Sequence, residues 1–261
     1  MRIPFTKCHG AANDFLLTWL AEAPAGEEFA AIARTICARH TGIGANGWIL
    51  VDDRPGIRLF NSDGSEPELS GNGTRCAAAF LISEERARDD LTIQTGAGPK
   101  TLRLIRRQGV TFEFEMNMGR PRVIDERFQL PLPSGGVDVT ILEAGNPQCA
   151  VPVENFDFDW RALGAEIEAH PHFPNRTNVS FLKPLDRHTI EARFFERGAG
   201  ATMSSGTGST GAAACAMLRG LAESPLRVLT EAGPLDIRDA GDLYLTGPAV
   251  LIGSGVYNYH V

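Results

Sequence analysis

Two ten-residue segments of the chain carry side chains that could perform chemistry together. They begin at Ser70 and Ser205, 135 positions apart, and read SGNGTRCAAA and SGTGSTGAAA, so that six of ten positions match. Each begins with a hydroxyl side chain and glycines and continues into alanine-rich sequence, which predicts the N-terminus of a helix. Unpaired N–H groups and the helix dipole make such an end a site for an anion. The pair predicts that one carboxylate is held between two hydroxyls, which suits chemistry on both faces of one carbon atom.

The repeat also predicts how the chain is organised. In 261 residues it indicates two similar domains rather than one continuous barrel or sheet. The charge, 25 basic against 32 acidic residues with a net of -7, includes no basic run that could neutralise several phosphates, so we expect no nucleic-acid partner. No apolar stretch reaches the roughly 18 residues of a membrane span, and residues 1–10 lack the apolar core of a signal peptide. We therefore expect a soluble protein of the cytoplasm without a membrane partner.

Cysteines and histidines give little sign of a metal or a disulfide. The five cysteines are odd in number, scattered and never spaced as C-x-x-C, so we expect most of them to be small core residues. His170 and His172 flank Pro171 and resemble a fragment of a metal site, which by itself is too little to bind an ion. A polar turn is the prediction there, and no metal is expected.

Apolar spacing and turn residues predict a similar order of elements in both halves. In the first half, a polar loop at 9–14 joins two short strands, a helix over 27–40 follows, and the first repeat supplies an apolar helix. We predict 121–133 as a crossover segment into the second half, which contains a helix over 160–169 and the second repeat helix. The predicted strands are 2–8, 15–20, 48–51, 57–60, 91–95, 101–105, 110–116, 137–142, 149–153, 178–182, 189–195 and 250–257.

Strands around one apolar helix in each half predict an α/β (α+β) fold of two pseudo-symmetric domains. Each domain is expected to be a curled mixed β-sheet or barrel around its central helix, because residues 77–82 and 212–218 are too apolar for a surface helix. We assign 1–119 plus 249–261 to the first domain and 120–248 to the second.

Other motifs with chemical associations lack the context that each needs. The sequence GIGANG at 42–47 matches G-x-G-x-x-G but follows a helix and precedes a strand, the reverse of a dinucleotide-binding turn. Glu68 and Met203 occupy the first glycine position of G-x-S-x-G, which disfavours a serine hydrolase. Residues 96–101 resemble a phosphate-binding loop without its G-K-[ST] ending and predict a turn.

Several further segments resemble the diaminopimelate epimerases, a family of cofactor-independent amino-acid racemases and epimerases. The likeness spans essentially the whole chain, and the number and order of the segments set it apart from a chance match. The segments are KCHGAANDF from Lys7, GIGANG from Gly42, NSDGSE from Asn61, the two repeats, GNP from Gly145, RTNV from Arg176, ERGAG from Glu196 and GPAV from Gly247.

The resemblance implies an active site in the cleft between two pseudo-symmetric domains, and a homodimer. It further implies that a cysteine thiolate removes the proton of the substrate α-carbon and a cysteine thiol on the opposite side returns one, without pyridoxal phosphate or another cofactor. A thiol suits this work because its ordinary pKa of about 8.5 falls towards neutrality at a helix N-terminus. The helix N–H groups then bind the α-carboxylate and the charge that develops on it.

The same likeness implies which residues bind the substrate. Most of the matching side chains belong, in the family, to the groups that bind the distal amino-acid end, and the helix N-termini bind the α-carboxylate. A free dicarboxylic diamino acid is therefore the implied ligand, and a guanidinium such as that of Arg197 suits a planar carboxylate. Taken alone, each asparagine is as readily a turn residue that hydrogen-bonds its own backbone. The implied binding residues are Asn13, Asn61, Gly71, Asn72, Asn146, Asn178, Glu196, Arg197, Gly206 and Thr207.

The chain departs from the family at the catalytic positions. Ser70 and Ser205 stand where the family has its two cysteines, so these serines are the predicted catalytic residues. A hydroxyl is a far weaker acid than a thiol, and each additional 1.36 kcal/mol of barrier costs about tenfold in rate. Gln148 stands where the family commonly has histidine, and Ala201 where it commonly has glutamate. The prediction is an epimerase of diaminopimelate that is slow or inactive with its serines.

Two other functions remain open at this point. The same scaffold could support a different isomerase or lyase that uses a carboxyl group, with Asp63, Glu66 and Glu196 as candidates. It could also support a protein that binds an amino acid without turning it over. Proton exchange at the substrate α-carbon distinguishes these functions, because a resemblance of fold does not define the chemistry.

Overall fold

The computed structural model describes residues 1–24, 28–133 and 135–259, and the chain divides into two compact units. Unit 1 contains Met1–Met116 and Gly247–Val261, and unit 2 contains Asn117–Thr246. The predicted domain boundaries at 119 and 249 lie three and two residues from these divisions. Two strands cross the divisions, so each of them contributes to both units.

Eight strands of unit 1 form a closed barrel. They are β1 (Arg2–Gly10), β2 (Asn13–Trp19), β3 (Gly47–Asp52), β4 (Gly56–Asn61), β5 (Asp90–Thr95), β6 (Gly98–Gln108), β7 (Thr111–Gly119) and, from the end of the chain, β16 (Asp242–Asn258). Neighbours along the path β1 to β7 and then β16 are hydrogen-bonded, and the pairing of β16 with β1 closes the ring.

The described residues of unit 1 form two α-helices, α1 (Phe29–Ile36) and α2 (Gly71–Ser83), and a short 3-10 helix at Leu20–Glu22. The central helix is α2, which packs against β1 to β5 and is buried from its first residue to Ile82. Its small alanine side chains let these strands pack close to the helix, and this confirms the predicted buried helix. α1 instead buries one face, with Ile32 and Ile36 in the cluster that contains Trp48.

Unit 2 has the same kinds of element. Its strands are β8 (Arg122–Leu132), β9 (Gly135–Glu143), β10 (Pro147–Pro152), β11 (Asn178–Asp186), β12 (Thr189–Glu196), β13 (Gly200–Thr202), β14 (Leu226–Thr230) and β15 (Gly233–Ala240), and its helices are α3 (Trp160–Glu168) and α4 (Gly206–Leu218). The hydrogen-bonded path runs from β8 to β12, then through β14 and β15 to β16, with β13 beside β12. α4 packs against β9 to β12, β14 and β15, and is the central helix.

The two units repeat one pattern of strand directions. In unit 1, β2 pairs with β3 and β4 with β5 in parallel, and in unit 2, β10 pairs with β11 and β12 with β14 in parallel. The central helix lies in the connection of the second parallel pair in both cases. The predicted α+β fold of two pseudo-symmetric halves, each with strands around a helix, is confirmed.

The predicted polar loop at 9–14 is shorter than expected. His9 pairs with Asp14 across the β1–β2 hairpin, so that only Ala11 and Ala12 form the turn. Their φ values are 50° and 57°, the left-handed region that a tight two-residue hairpin turn requires. Alanine rarely adopts this conformation, and the sequence therefore contains no recognisable signal for the turn.

The predicted crossover at 121–133 is wrong, because strand β8 fills it and pairs with β9. Leu130 and Leu132 are buried while Pro131 between them is exposed. Proline lacks an N–H donor and is tolerated at a sheet edge, and β8 is the last strand of its path. The predicted helix at 27–40 is also too long, since α1 ends at Ile36, and Glu27 lies outside the described residues.

All five cysteines are buried and free, in agreement with the expectation of core residues. Across the described ranges, none of the helices is both long and apolar enough to cross a membrane.

Candidate active site

The two repeats form nearly identical helix N-termini. Ser70 and Ser205 are the N-cap residues of α2 and α4, with φ and ψ of −127° and 115° in one case and −136° and 126° in the other. Each hydroxyl accepts a hydrogen bond from a glycine N–H, Gly73 at 3.1 Å and Gly208 at 3.0 Å. The predicted helix starts are thus confirmed. We call Ser70, Gly71 and Asn72 the α2 cap, and Ser205, Gly206 and Thr207 the α4 cap.

Packing explains why glycine is the third residue of each helix. A Cβ on Gly208 would lie 2.7 Å from Phe194 Cδ1 and 2.9 Å from Ser205 Oγ, and neither distance is tolerable. A Cβ on Gly73 would lie 3.1 Å from Ile49 Cδ1. The glycines therefore let the barrel wall and the serine side chain approach the helix backbone.

In unit 2 the serine hydroxyl also contacts a carboxylate. Ser205 Oγ donates to Glu196 Oε1 at 2.8 Å, and Thr202 Oγ1 donates to Glu196 Oε2 at 2.8 Å. Glu196 ends β12 and Thr202 ends β13, and these strands are paired, so the sheet holds both groups beside the α4 cap. Burial raises the pKa of Glu196 above its ordinary value, although the two hydroxyls partly oppose the shift. The carboxylate is therefore suited to taking up a proton.

A second chain of hydrogen bonds joins β10 to the α4 cap. Gln148 Nε2 donates to Asn146 Oδ1 at 2.6 Å, and Asn146 Nδ2 donates to Thr207 Oγ1 at 3.4 Å. Gln148 is 1% exposed, and its Oε1 has no hydrogen-bond partner in the part of the chain that the structure describes. Gln148 thus positions Asn146.

Asn178 and Arg197 extend this region of unit 2. Asn178 Oδ1 accepts a hydrogen bond from the backbone N–H of Arg197 at 3.0 Å, and its Nδ2 donates to Pro147 O at 2.9 Å. The guanidinium of Arg197 donates to Asn175 O at 3.1 Å. Glu196, Arg197, Asn146 and Asn178 are therefore brought together with the α4 cap, whereas Ala201 is exposed in β13 opposite Phe195.

In unit 1, Asn13 is positioned by a charged network. Asn46 Nδ2 donates to Asn13 Oδ1 at 2.9 Å, and Asp14 is paired with Arg39 at 2.9 Å and Lys7 at 3.1 Å. Burial alone would raise the pKa of the Asp14 carboxyl, but hydrogen bonds and charge from Arg39 and Lys7 bring it below its ordinary value. Asp14 is thus a constant negative charge that orders the surroundings of Asn13.

Asn61 has the contacts of a turn residue. Its Nδ2 donates to Ser65 Oγ at 3.0 Å, and Ser65 Oγ donates to Asp63 Oδ1 at 2.6 Å. The backbone of the next residue, Ser62, donates to Asn46 O at 3.0 Å, which places this loop beside the Asn13 network. The side chain of Asn61 thus bonds within its own turn rather than to the α2 cap.

One residue of the α2 region escaped the sequence analysis. The guanidinium of Arg75 is 0% exposed and donates to Asn72 Oδ1 at 2.5 Å, to Gly71 O at 3.3 Å and to Pro248 O at 3.2 Å. Burial lowers its pKa to about 10. A signal was present, because Arg75 occupies a repeat position where the second copy has Thr210.

Comparison with known proteins supports the likeness seen in the motifs. The family model described as diaminopimelate epimerase matches residues 5–124 and 140–252. The chain belongs to the diaminopimelate epimerase family. A diaminopimelate epimerase of Pelotomaculum thermopropionicum is 36% identical over 278 residues, covering 98% of this chain and 99% of the relative. One from Moorella thermoacetica is 37% identical over 274 residues, covering 96% and 98%.

Solved structures share the fold at low identity. A hydroxyproline epimerase from Agrobacterium vitis superposes with a TM-score of 0.76 at 15% identity, covering 98% of this chain and 92% of that one. A Bacillus anthracis phenazine biosynthesis protein of the PhzF family gives 0.72 at 18% identity, covering 99% and 100%. The chain is thus a diaminopimelate epimerase-like isomerase, and both serines stand at the N-caps of its central helices.

Proposed function

We propose that the protein interconverts LL- and meso-diaminopimelate by proton transfer at the α-carbon without pyridoxal phosphate, with Ser70 and Ser205 in the two catalytic positions. Family membership over nearly the whole chain supports the substrate class. The α2 and α4 caps supply N–H groups for a carboxylate. Arg197 and the asparagines are the groups that we propose to bind the distal amino-acid end.

The hydrogen bond between Ser205 and Glu196 is the observation that carries this proposal. A serine hydroxyl alone is too weak an acid and base for the reaction, but a carboxylate at 2.8 Å can take the hydroxyl proton. As the Cα–H bond breaks, its proton passes to Ser205 Oγ and the proton of Ser205 passes to Glu196 Oε1. The electron pair remains on the α-carbon and delocalises into the α-carboxylate. Reversal of these transfers returns a proton to the same face and leaves Glu196 ionised. For inversion, the hydroxyl of Ser70 gives its proton to the opposite face, and solvent then takes up the proton held by Glu196 and returns one to Ser70.

Among the described residues, the hydroxyl of Ser70 has no carboxylate partner, and it accepts a hydrogen bond from Gly73 N. We therefore expect Ser205 to remove and return the substrate α-proton faster than Ser70 delivers a proton to the opposite face. Substrate should lose its α-proton to solvent more often than it changes configuration.

Proton NMR in deuterated water tests the proposal, with LL- and meso-diaminopimelate incubated separately with the purified protein. We expect the α-proton signal of one diastereomer to fall faster than the other diastereomer forms. Ser205→Ala and Glu196→Gln should abolish the exchange, whereas Ser70→Ala should retain exchange and lose inversion. Absence of exchange above a buffer control, together with tight binding, would instead support an amino-acid-binding protein.

A different isomerase or lyase on the same scaffold is the second candidate, and the raised pKa of Glu196 favours it as a base independent of either serine. The hydroxyproline epimerase among the solved structures shows that this fold occurs in a protein named for another substrate. An activity on another amino acid that survives Ser70→Ala and Ser205→Ala but not Glu196→Gln would establish this alternative.

A homodimer of the cytoplasm is also part of the proposal. Exposed apolar side chains on unit 1 support a contact surface: Ile105 is 47%, Val110 57% and Ile252 55% exposed. Leu251 N donates to Val110 O at 3.0 Å, so Val110, in the turn between β6 and β7, lies beside the part of β16 that contains Ile252. Light scattering of the wild type and of Ile252→Asp checks the assembly, and a monomeric wild type would contradict it.

A further inference from the structure

Glu168, the last residue of α3, is a buried carboxylate with one partner for two oxygens. Its side chain is 1% exposed, and its Oε2 accepts a hydrogen bond from Arg176 Nη2 at 2.5 Å. The other oxygen, Oε1, has no hydrogen-bond partner among the residues that the structure describes. The side chain of Arg176 is 54% exposed, so a half-exposed cation compensates a charge that lies inside unit 2.

Stability gives little reason for this ion pair. Taking a carboxylate out of water costs free energy that a single ion pair returns only in part. Arg176 also has a φ of 59°, in the left-handed region where a residue with a side chain is strained. Strain of this kind persists where the surrounding structure imposes it, and it is concentrated at functional sites. The pair therefore calls for a functional explanation.

The residues on either side of Arg176 bind Arg197. Asn175 O accepts a hydrogen bond from the guanidinium of Arg197 at 3.1 Å. Asn178 Oδ1 accepts one from the backbone N–H of Arg197 at 3.0 Å. The segment that the ion pair holds thus positions both the backbone and the guanidinium of Arg197.

Short-range turns fold the segment between α3 and β11. Phe173 N donates to His170 O at 2.9 Å, and Arg176 N donates to Phe173 O at 2.8 Å. At the start of the segment, His170 Nε2 contacts Pro131 O at 2.9 Å. These contacts fix the local conformation and the first residues of the segment. The ion pair with Glu168 links its far end, at Arg176, back to α3.

We infer that Glu168 is a positioning residue for substrate binding, which acts through Arg176 to set the place of Arg197 beside Asn178. This inference rests on the proposed function, in which Arg197 and the asparagines bind the distal amino-acid end. A guanidinium binds a planar carboxylate well only when it is held in a narrow range of geometry. Removal of Glu168 should therefore weaken binding and leave the exchange rate at saturating substrate close to that of the wild type.

The test compares Glu168→Met with the wild type by the Tm, by the Kd for meso-diaminopimelate and by hydrogen exchange of the Arg197 amide in NMR. Without its partner, the half-exposed guanidinium of Arg176 can be hydrated, so we expect an unchanged or higher Tm. The Kd should rise by about tenfold or more. The Arg197 amide, which is bonded to Asn178, should exchange about tenfold or more faster.

Glu166→Met is the matched control, because it removes a carboxylate two residues earlier in α3. It should leave both the Kd and the exchange of the Arg197 amide unchanged. If Glu168→Met does not fold, Glu168→Gln takes its place, since it keeps the shape of the side chain and removes the charge.

A double-mutant cycle of Glu168→Met with Arg197→Met separates positioning from a merely structural role. If Glu168 acts through Arg197, the double variant binds no more weakly than Arg197→Met alone. A structural Glu168 would instead lower the Tm and either leave the Kd unchanged or add its loss to that of Arg197→Met. Either result would overturn the inference.

The exchange of the Arg197 amide also separates this inference from the proposed substrate, because it needs no ligand. A wild type that binds no diaminopimelate would contradict the substrate. Faster amide exchange in Glu168→Met would still support the role of Glu168 in positioning Arg197. Equal exchange in Glu168→Met and the wild type would overturn the inference whatever the substrate.

Discussion

At the N-terminus of α2, the hydroxyl of Ser70 accepts a hydrogen bond from a backbone N–H of its own helix and has no carboxylate partner among the described residues. A buried guanidinium lies about one turn further along this helix. At the N-terminus of α4, the hydroxyl of Ser205 meets the carboxylate of Glu196 as well. The backbone and the cap geometry are the same, so the repeat supplies two similar anion sites. The difference lies in the groups that the surrounding strands place beside each cap, and it predicts which side is the stronger base.

Placing a cysteine at both caps should change the rate of inversion more than any other substitution. It should also remove the difference in base strength between the two caps. A thiol is a far stronger acid than a hydroxyl, so Ser70→Cys with Ser205→Cys is expected to raise the rate of inversion by about 10²- to 10⁴-fold. The measurement is the formation of meso- from LL-diaminopimelate by proton NMR. The two single variants show which cap limits the rate, and we expect Ser70→Cys to gain more. A double variant that exchanges no α-proton would disprove the diaminopimelate function.

Removal of the carboxylate at the α4 cap should have the next largest effect, a loss of α-proton exchange. Glu196→Gln retains the size of the side chain but cannot take up the proton of Ser205, so we expect α-proton exchange to fall by about 10²- to 10⁴-fold. The matched control is Glu191→Gln on the same strand, whose carboxylate pairs with Arg193 at 3.3 Å. Equal losses in both variants would indicate damage to β12 rather than the loss of a base.

The same carboxylate should also make the stability of the protein depend on pH, and this effect should be smaller than its effect on the exchange rate. Because the pKa of Glu196 is raised in the folded state, its contribution to stability is full below the ordinary carboxyl pKa and is lost as pH rises through the raised value. Glu196→Gln has no such loss, so its Tm relative to the wild type should increase from pH 4 to neutral pH. Differential scanning calorimetry across that range checks the sign. A difference in Tm that shrinks towards neutral pH would mean that Glu196 is stabilised as an anion.

Thr202→Val should change the exchange reaction least, and it tests whether Glu196 is the base. The valine removes one of the two hydroxyl donors to Glu196, so the pKa of the carboxyl should rise further and the exchange rate should reach its plateau at higher pH. The rate at that plateau should stay close to that of the wild type. The profile of exchange rate against pH is the measurement, and an unshifted profile would exclude Glu196 as the group that titrates.

Sequence reasoning succeeded where the signal was local. In both repeats, a hydroxyl residue followed by glycines and then alanines predicted where the helix starts. This worked because N-capping depends on a few neighbouring residues. It failed at the hairpin turn of Ala11 and Ala12, since alanine in the left-handed region is imposed by pairing of β1 with β2. It failed also at β8, where proline concealed a strand that an edge position tolerates.

For the candidate site, the sequence indicated residue types but not their partners. Asn146, Asn178, Glu196 and Arg197 do lie together with the α4 cap, whereas Asn61 bonds to its own turn. Arg75 was missed because its only signal is the difference from Thr210 at the matching repeat position, and that difference does not by itself identify a role. The two catalytic positions and the substrate remain predictions that the experiments above decide.

By itself, the sequence determined the family, the repeated helix caps and the two serines at those caps, because all three depend on residues close together or in a fixed order along the chain. Only the tertiary structure decided that Ser205 contacts a carboxylate, that the α2 cap lies above a buried guanidinium, and that Gln148 positions Asn146. These contacts join strands and helices distant in sequence, and the burial that shifts the pKa of Glu196 and of Arg75 exists only when the strands surround their central helices.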